Sequence, residues 1–199
     1  MGMKRILAML LLLALATPVW GQSFVKGKRA YNRGDFATAL REFKPLAEQG
    51  GHAVAQYILG DMYYKGQGVA KNYAEALKLY RMVAEQGISY GEFSLGKMFY
   101  LGKGVPKDLT KAVKWFRMAA DQDHIKAQHF LGNMYYSGIG VEQNFKEAVK
   151  WYRKAAEQGF SAGQSALSNM YYLGHGAPKD YTKAVSGGVK MYPLGGQEH

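Results

Sequence analysis

Few side chains in this 199-residue chain stand at the spacings that chemistry needs. The five histidines, His52, His124, His129, His175 and His199, contain no pair four residues apart and no His-Glu-x-x-His run, so they form no metal-ligand set. Cys is absent, which removes thiolate sites, disulfides and cysteine nucleophiles together. Ser23 with Lys26 and Ser94 with Lys97 match the serine-lysine spacing of penicillin-recognising enzymes. Such a pair arises about once by chance at this Ser and Lys content, and the companion Ser-Asp-Asn and Lys-Thr-Gly motifs are missing. Gly91 to Lys97 has the outline of a phosphate loop, but Met98 stands where Ser or Thr would bind magnesium. Acids such as Asp61 and Glu92 could do proton transfer, yet no spacing singles out a pair. No catalytic residue, metal or cofactor is expected.

The elements that carry these residues repeat. Residues 52–87, 88–123 and 124–159 align without a gap, and a fourth unit begins at Phe160. Leu59, Leu95, Leu131 and Leu167 form one column, and Met62, Met98, Met134 and Met170 another. Two glycines follow in each unit, as in Gly66 and Gly68, and the second half opens on pairs such as Ala76-Leu77 and Ala148-Val149. Ala55, Leu59 and Met62 make one stripe of a helix that Gly66 ends in the left-handed conformation. Ala76, Leu77, Tyr80, Val83 and Ala84 make a second helix that Gly87 stops. Each unit is therefore helix, Gly-x-Gly turn, helix. Gly60, Gly96 and Gly132 recur inside the first helix, where Gly costs about 1 kcal/mol against Ala, so their recurrence predicts close helix approach.

The flanks differ. Lys4 and Arg5, the apolar run from Ile6 to Ala16, and the segment ending at Gly21 match a secretory signal over residues 1–21, with Gln22 as the expected mature start. The apolar run is shorter than the roughly 20 residues a bilayer span requires. Export to the periplasm or beyond is the expectation, without an integral span after cleavage. Residues 24–51 form a variant first unit, with Pro45 inside its second helix, where it should bend the axis. The incomplete fourth repeat covers 160–185, and 186–199 is an irregular tail. There Ser186-Gly187-Gly188-Val189-Lys190 stands opposite Lys150-Trp151-Tyr152-Arg153-Lys154, and a one-base frame shift would restore a Lys-Trp-Trp-Arg-Lys string. An interrupted array would leave Leu167, Met170 and Tyr171 uncovered.

The string Ala55, Leu59-Gly60, Tyr63, Gly66-x-Gly68-Val69, Ala76, Tyr80, Ala84 and Gly87, recurring over residues 52–185, resembles the Sel1-like repeat, a relative of the tetratricopeptide repeat. The resemblance implies an all-α fold, an α/α solenoid of helix-turn-helix repeats, acting as an adaptor in protein complexes. Cysteine-rich relatives are linked to β-lactam binding or hydrolysis, but their disulfide pairs have no counterpart here. A cell-wall or β-lactam hydrolase is the alternative function.

In a solenoid the recurring positions are buried between neighbours, so function falls to the others. Positions 57 and 61 vary between repeats: Tyr57 and Asp61, Phe93 and Lys97, His129 and Asn133, Ser165 and Asn169. Beside them Tyr64, Tyr100, Tyr136 and Tyr172 form a constant ladder. The resemblance puts first helices on a concave side, where these residues would face a protein or peptide. The constant tyrosines suit inter-repeat packing better than direct contact, so the varying positions are the stronger candidates. The Met column and Trp115 with Trp151 are expected in the core, and Arg81, Arg117 and Arg153 on a solvated outer face, paired with acids four residues on. The net charge of +11 falls to +9 without Lys4 and Arg5, and it spreads along all units. No basic stripe interleaves with aromatics as a nucleic-acid channel needs, and export removes the usual partner, so nucleic acid is not an expected partner; an anionic cell-envelope polymer is the alternative one.

Overall fold

The computed structural model describes residues 21–49 and 51–186. The proposed signal segment up to residue 20 and the tail from 187 lie outside the described residues. Two units divide after Gly87. In unit 1, α1 covers residues 21–32, followed by α2 (Phe36–Glu48), α3 (Ala53–Lys65) and α4 (Tyr73–Glu85). Unit 2 holds α5 (Ser89–Leu101), α6 (Leu109–Asp121), α7 (Ile125–Ser137), α8 (Phe145–Glu157), α9 (Ser161–Leu173) and α10 (Tyr181–Ser186). The architecture is all-α, a solenoid of helix-turn-helix repeats, with no strand among the described residues.

Local chemistry fixes where each helix starts and stops. Gly66, Gly102, Gly138 and Gly174 lie at φ of 66 to 75° and end α3, α5, α7 and α9. Their amides donate back to the carbonyls of Met62, Met98, Met134 and Met170. The second glycine of the turn has a separate reason: a Cβ on Gly68 would come within 2.8 Å of the Phe36 carbonyl oxygen. Gly140 and Gly176 meet the backbone of Leu109 and Phe145 in the same way. The turn is thus pressed onto the start of the preceding second helix. Those helices begin on Asp35, Asn72, Asp108, Asn144 and Asp180, whose side chains accept first-turn amides at 2.8 to 3.1 Å. Pro45 sits within α2 without ending it.

The core lies between the paired helices. Met62, Met98, Met134 and Met170 are at most 1% exposed, and Leu59, Leu95 and Leu131 are buried to the same degree. A Cβ on Gly60 would approach the Tyr80 ring to 2.9 Å, and on Gly96 or Gly132 the Phe116 or Tyr152 ring to 2.6 Å. These three glycines therefore admit an aromatic ring from the second helix of their own repeat. Trp151 is buried as expected, whereas Trp115 is only half-buried. The end of the array departs from expectation. Met170 is 1% exposed and Leu167 packs against the core, because α10 closes over α9 through Ala184.

Candidate functional site

In unit 1 the varying residues of α3 gather around one hydroxyl. Tyr80, 2% exposed on α4, donates to Asp61 Oδ1 at 2.6 Å, and Lys65 pairs with Asp61 Oδ2 at 2.7 Å. The Tyr57 ring lies 6.0 Å from Tyr80, and Tyr64 lies 5.3 Å from Tyr73 and 6.5 Å from Tyr80. Burial first, then the Asp61 charge, pushes the Tyr80 phenol far up, so it stays a proton donor to the carboxylate. Tyr57, Asp61 and Tyr64 thus form a packed cluster with a polar edge.

In unit 2 the corresponding positions hold different pairs. Phe93 is buried, stacked on His124 at 4.6 Å and packed near Phe116 and Phe130. Lys97 lies 5.8 Å over the Phe93 ring and is the more accessible of the two. One repeat on, Tyr152 donates to Asn133 Oδ1 at 2.8 Å, while Asn133 Nδ2 sits 3.2 Å from His129 Nε2. In the neutral ring whose Nε2 accepts from Asn133, the buried Nδ1 has no hydrogen-bond partner among the described residues. Burial lowers the His129 pKa, favouring this neutral form. Asn133 and Asn169 are exposed at the same repeat position. Tyr136 packs on Phe145 at 5.4 Å, Tyr172 on Tyr181 at 5.6 Å, and Tyr100 near Phe116 and Phe130. Every rung of the ladder is half-buried.

A correlation between columns explains part of the variation. Where the second helix carries a tyrosine, as at Tyr80 and Tyr152, the first helix offers an acceptor, Asp61 or Asn133. Where it carries Phe116, which has no hydroxyl, the first helix has Lys97. The varying column is therefore tied in part to the fold.

Three features escaped sequence reasoning. Gln56, Glu92 and Gln128 are buried at 1% or less, although all three are polar. Gln86, Gln122 and Gln158 donate to them at 2.8 to 2.9 Å from the end of the same repeat. Gln86, Gln122 and Gln158 recur at the repeat ends, but a pairing over 30 residues does not follow from that recurrence. Burial raises the Glu92 pKa, and the Gln122 amide opposes that rise. Next, Gly87-Ile88-Ser89-Tyr90-Gly91 and Gly159-Phe160-Ser161-Ala162-Gly163 both spell the Gly-x-Ser-x-Gly of a nucleophile elbow. Ser89 and Ser161 each open a helix after an inter-helix turn, and the strand that would present a nucleophile does not occur among the described residues. The phosphate-loop outline lies within α5, where its amides serve the helix. Among the described residues no three His, Asp or Glu side chains form a metal-holding group.

The third feature corrects the pairing expected on the outer face, where Arg81 and Arg153 are exposed as expected. Arg117 and Arg153 reach forward to the next first helix, donating to the hydroxyls of Tyr135 and Tyr171 instead of pairing with the acids four residues on. Arg117, Lys150 and Lys154 gather within 5.2 to 5.9 Å of the Trp151 ring. Lys111 lies over Phe99 and Lys183 over Tyr171. Charge that is diffuse along the chain becomes, in space, a row of cations interleaved with rings.

Comparison with known proteins bears on the repeats. The Sel1 repeat family matches residues 53–88, 89–124, 125–160 and 161–186. An exopolysaccharide production negative regulator of Rhizobium meliloti is 38% identical over 68 residues, which is 34% of this chain and 25% of that protein. The chain thus spans a quarter of the length of that relative. A Sel1 repeat protein from Oxalobacter formigenes superposes with a TM-score of 0.75 at 35% identity, covering 82% of this chain and 67% of that one. A protective antigen of uropathogenic Escherichia coli with an SLR fold gives a TM-score of 0.81 at 36% identity, covering 87% of this chain and 38% of that one. Among the described residues no helix is long and apolar enough to cross a membrane.

Proposed function

The chain belongs to the Sel1 repeat family, and on that premise we propose that it is an exported, non-enzymatic scaffold holding a protein or peptide partner on its first helices. The observation that carries this is the pair Asn133 and Asn169, exposed carboxamides one repeat apart on α7 and α9. A carboxamide both donates and accepts, so such a column suits the alternating N–H and C=O groups of an extended peptide. Tyr100, Tyr136 and Tyr172 add half-buried rings held by their packing, which lose little entropy on contact. Lys97 contributes charge, and the Tyr57, Asp61 and Tyr64 cluster is a further contact surface in unit 1. In this proposal the contact residues of each unit are carried by its first helices.

Export rests on the basic, apolar and small-residue pattern of residues 1–21. A scaffold that acts by binding fits the rhizobial relative, named as a negative regulator. A photoreactive side chain at position 57 or 129 in intact cells tests the proposal. A discrete protein adduct at these positions, missing when the group sits at position 118 on α6, is the expected result. Capture of polymer or lipid with no protein adduct would overturn it.

A further inference from the structure

The positive charge of unit 2 is divided unequally between its two kinds of helix. α5, α7 and α9 hold Lys97 and Lys126 against Glu92, which is buried. α6, α8 and α10 hold eight Lys and Arg residues against only Asp121, Glu147 and Glu157. The two arginines there are engaged with Tyr135 and Tyr171, so the outward charge is carried by lysines. The side chains of Lys111, Lys150 and Lys183 remain 60%, 54% and 62% exposed despite ion pairs with acids three residues before them. Lys114, Lys146 and Lys154 have no carboxylate within ion-pair distance among the described residues. Met118, 47% exposed, lies one turn beyond Lys114 on α6.

The chemistry of this row selects its ligand. Lysine ammonium groups are hydrated point charges on flexible stems, suited to a field of anions, whereas bidentate recognition of one phosphate favours arginine. Trp151 is 1% exposed and so offers no platform for stacking nucleic-acid bases. Long lysine stems, with an exposed Met one turn from Lys114, match a headgroup layer, where ammonium groups meet phosphates and apolar atoms reach the acyl boundary.

We propose that the second-helix row of unit 2, centred on Lys114, Lys150 and Lys154 with Met118, docks on the surface of an anionic phospholipid bilayer. The first helices then carry the partner while the second helices carry the membrane contact.

The test is sedimentation of the full chain with vesicles of phosphatidylethanolamine and phosphatidylglycerol, against vesicles of phosphatidylcholine. Two charge-matched triple variants are compared, each with helical content verified by circular dichroism: K114Q/K150Q/K154Q, and K97Q/K126Q/K179Q. The first should lose roughly a hundredfold in partitioning onto the anionic vesicles and the second only a few-fold. M118A should weaken the binding that persists at high salt. Equal losses in the two triple variants would overturn the proposal. So would binding to soluble dextran sulfate that exceeds binding to the anionic vesicles.

Discussion

Placing a methyl group at Gly132 tests the close ring approach shared by Gly60, Gly96 and Gly132. In an unconstrained helix Gly→Ala stabilises by about 1 kcal/mol through backbone entropy. Here the new Cβ would lie 2.6 Å from both Cδ1 and Cε1 of Tyr152, against an ordinary contact of 3.4 Å or more. The ring must therefore retreat by most of an ångström. It is 3% exposed, and its hydroxyl is held by Asn133 at 2.8 Å, so retreat also strains that hydrogen bond. Overpacking of this kind costs about 1 to 3 kcal/mol, so the helix gain is cancelled or exceeded and G132A should be destabilised by about 1 kcal/mol. Urea unfolding of G132A, Y152L and the double variant closes a cycle. The smaller, flexible leucine should accept the methyl group, giving a favourable coupling of about 1 to 2 kcal/mol between the two changes. A stability gain in G132A alone, or an additive cycle, would refute close ring approach as the reason for glycine.

Three further outcomes follow from single contacts. Y80F removes the 2.6 Å hydrogen bond to Asp61 and should cost about 1 to 2 kcal/mol in urea unfolding, whereas W115F, at a half-buried position, should cost less. His124 Nδ1 accepts from the Ala127 amide, and burial, then the Lys126 charge, hold its pKa below the usual histidine range, opposed by a backbone hydrogen bond. Its neutral form is thus favoured in the folded state, so its contribution is complete above the unfolded value of about 6.5 and is lost as pH falls toward the lower folded value. H124N should keep the cap and flatten that part of the acid loss, as read from urea midpoints between about pH 8 and about pH 5. Burial raises the Glu92 pKa, so its ionised form disfavours folding; E92Q should raise the urea midpoint near neutral pH, with the gain shrinking as Glu92 becomes protonated in acid.

The repeat made most of the fold legible. A glycine that recurs within a helix has few causes, and Gly60, Gly96 and Gly132 each admit a ring as close approach requires. The left-handed Gly66, Gly102, Gly138 and Gly174 likewise follow from position alone. Contacts that join distant turns were harder to read. Position 52 of the repeat holds His52, Ile88, His124 and Phe160, a set that hides the two side-chain caps made by His52 and His124. Gln86 meets Gln56 across 30 residues, and Arg117 meets Tyr135 across 18, distances set by helix packing rather than by periodicity within one helix. The spatial row of charge escaped for the same reason. Counting along the chain mixes first and second helices, which the fold separates. Of the candidate contact residues, the varying positions were found by column. Their partial role in packing appears only once Tyr80 and Tyr152 are seen to donate to Asp61 and Asn133.

The central claim is that a protein partner is held by first-helix side chains. It is tested most directly by the affinity of the crosslinked partner for two variants with intact helical content. N133A/N169A removes two exposed carboxamides and should weaken binding at least about tenfold, from two hydrogen bonds of about 1 kcal/mol each. K114Q/K154Q, on the second helices, should leave the dissociation constant unchanged. Unchanged affinity in N133A/N169A, or a comparable loss in K114Q/K154Q, would contradict it.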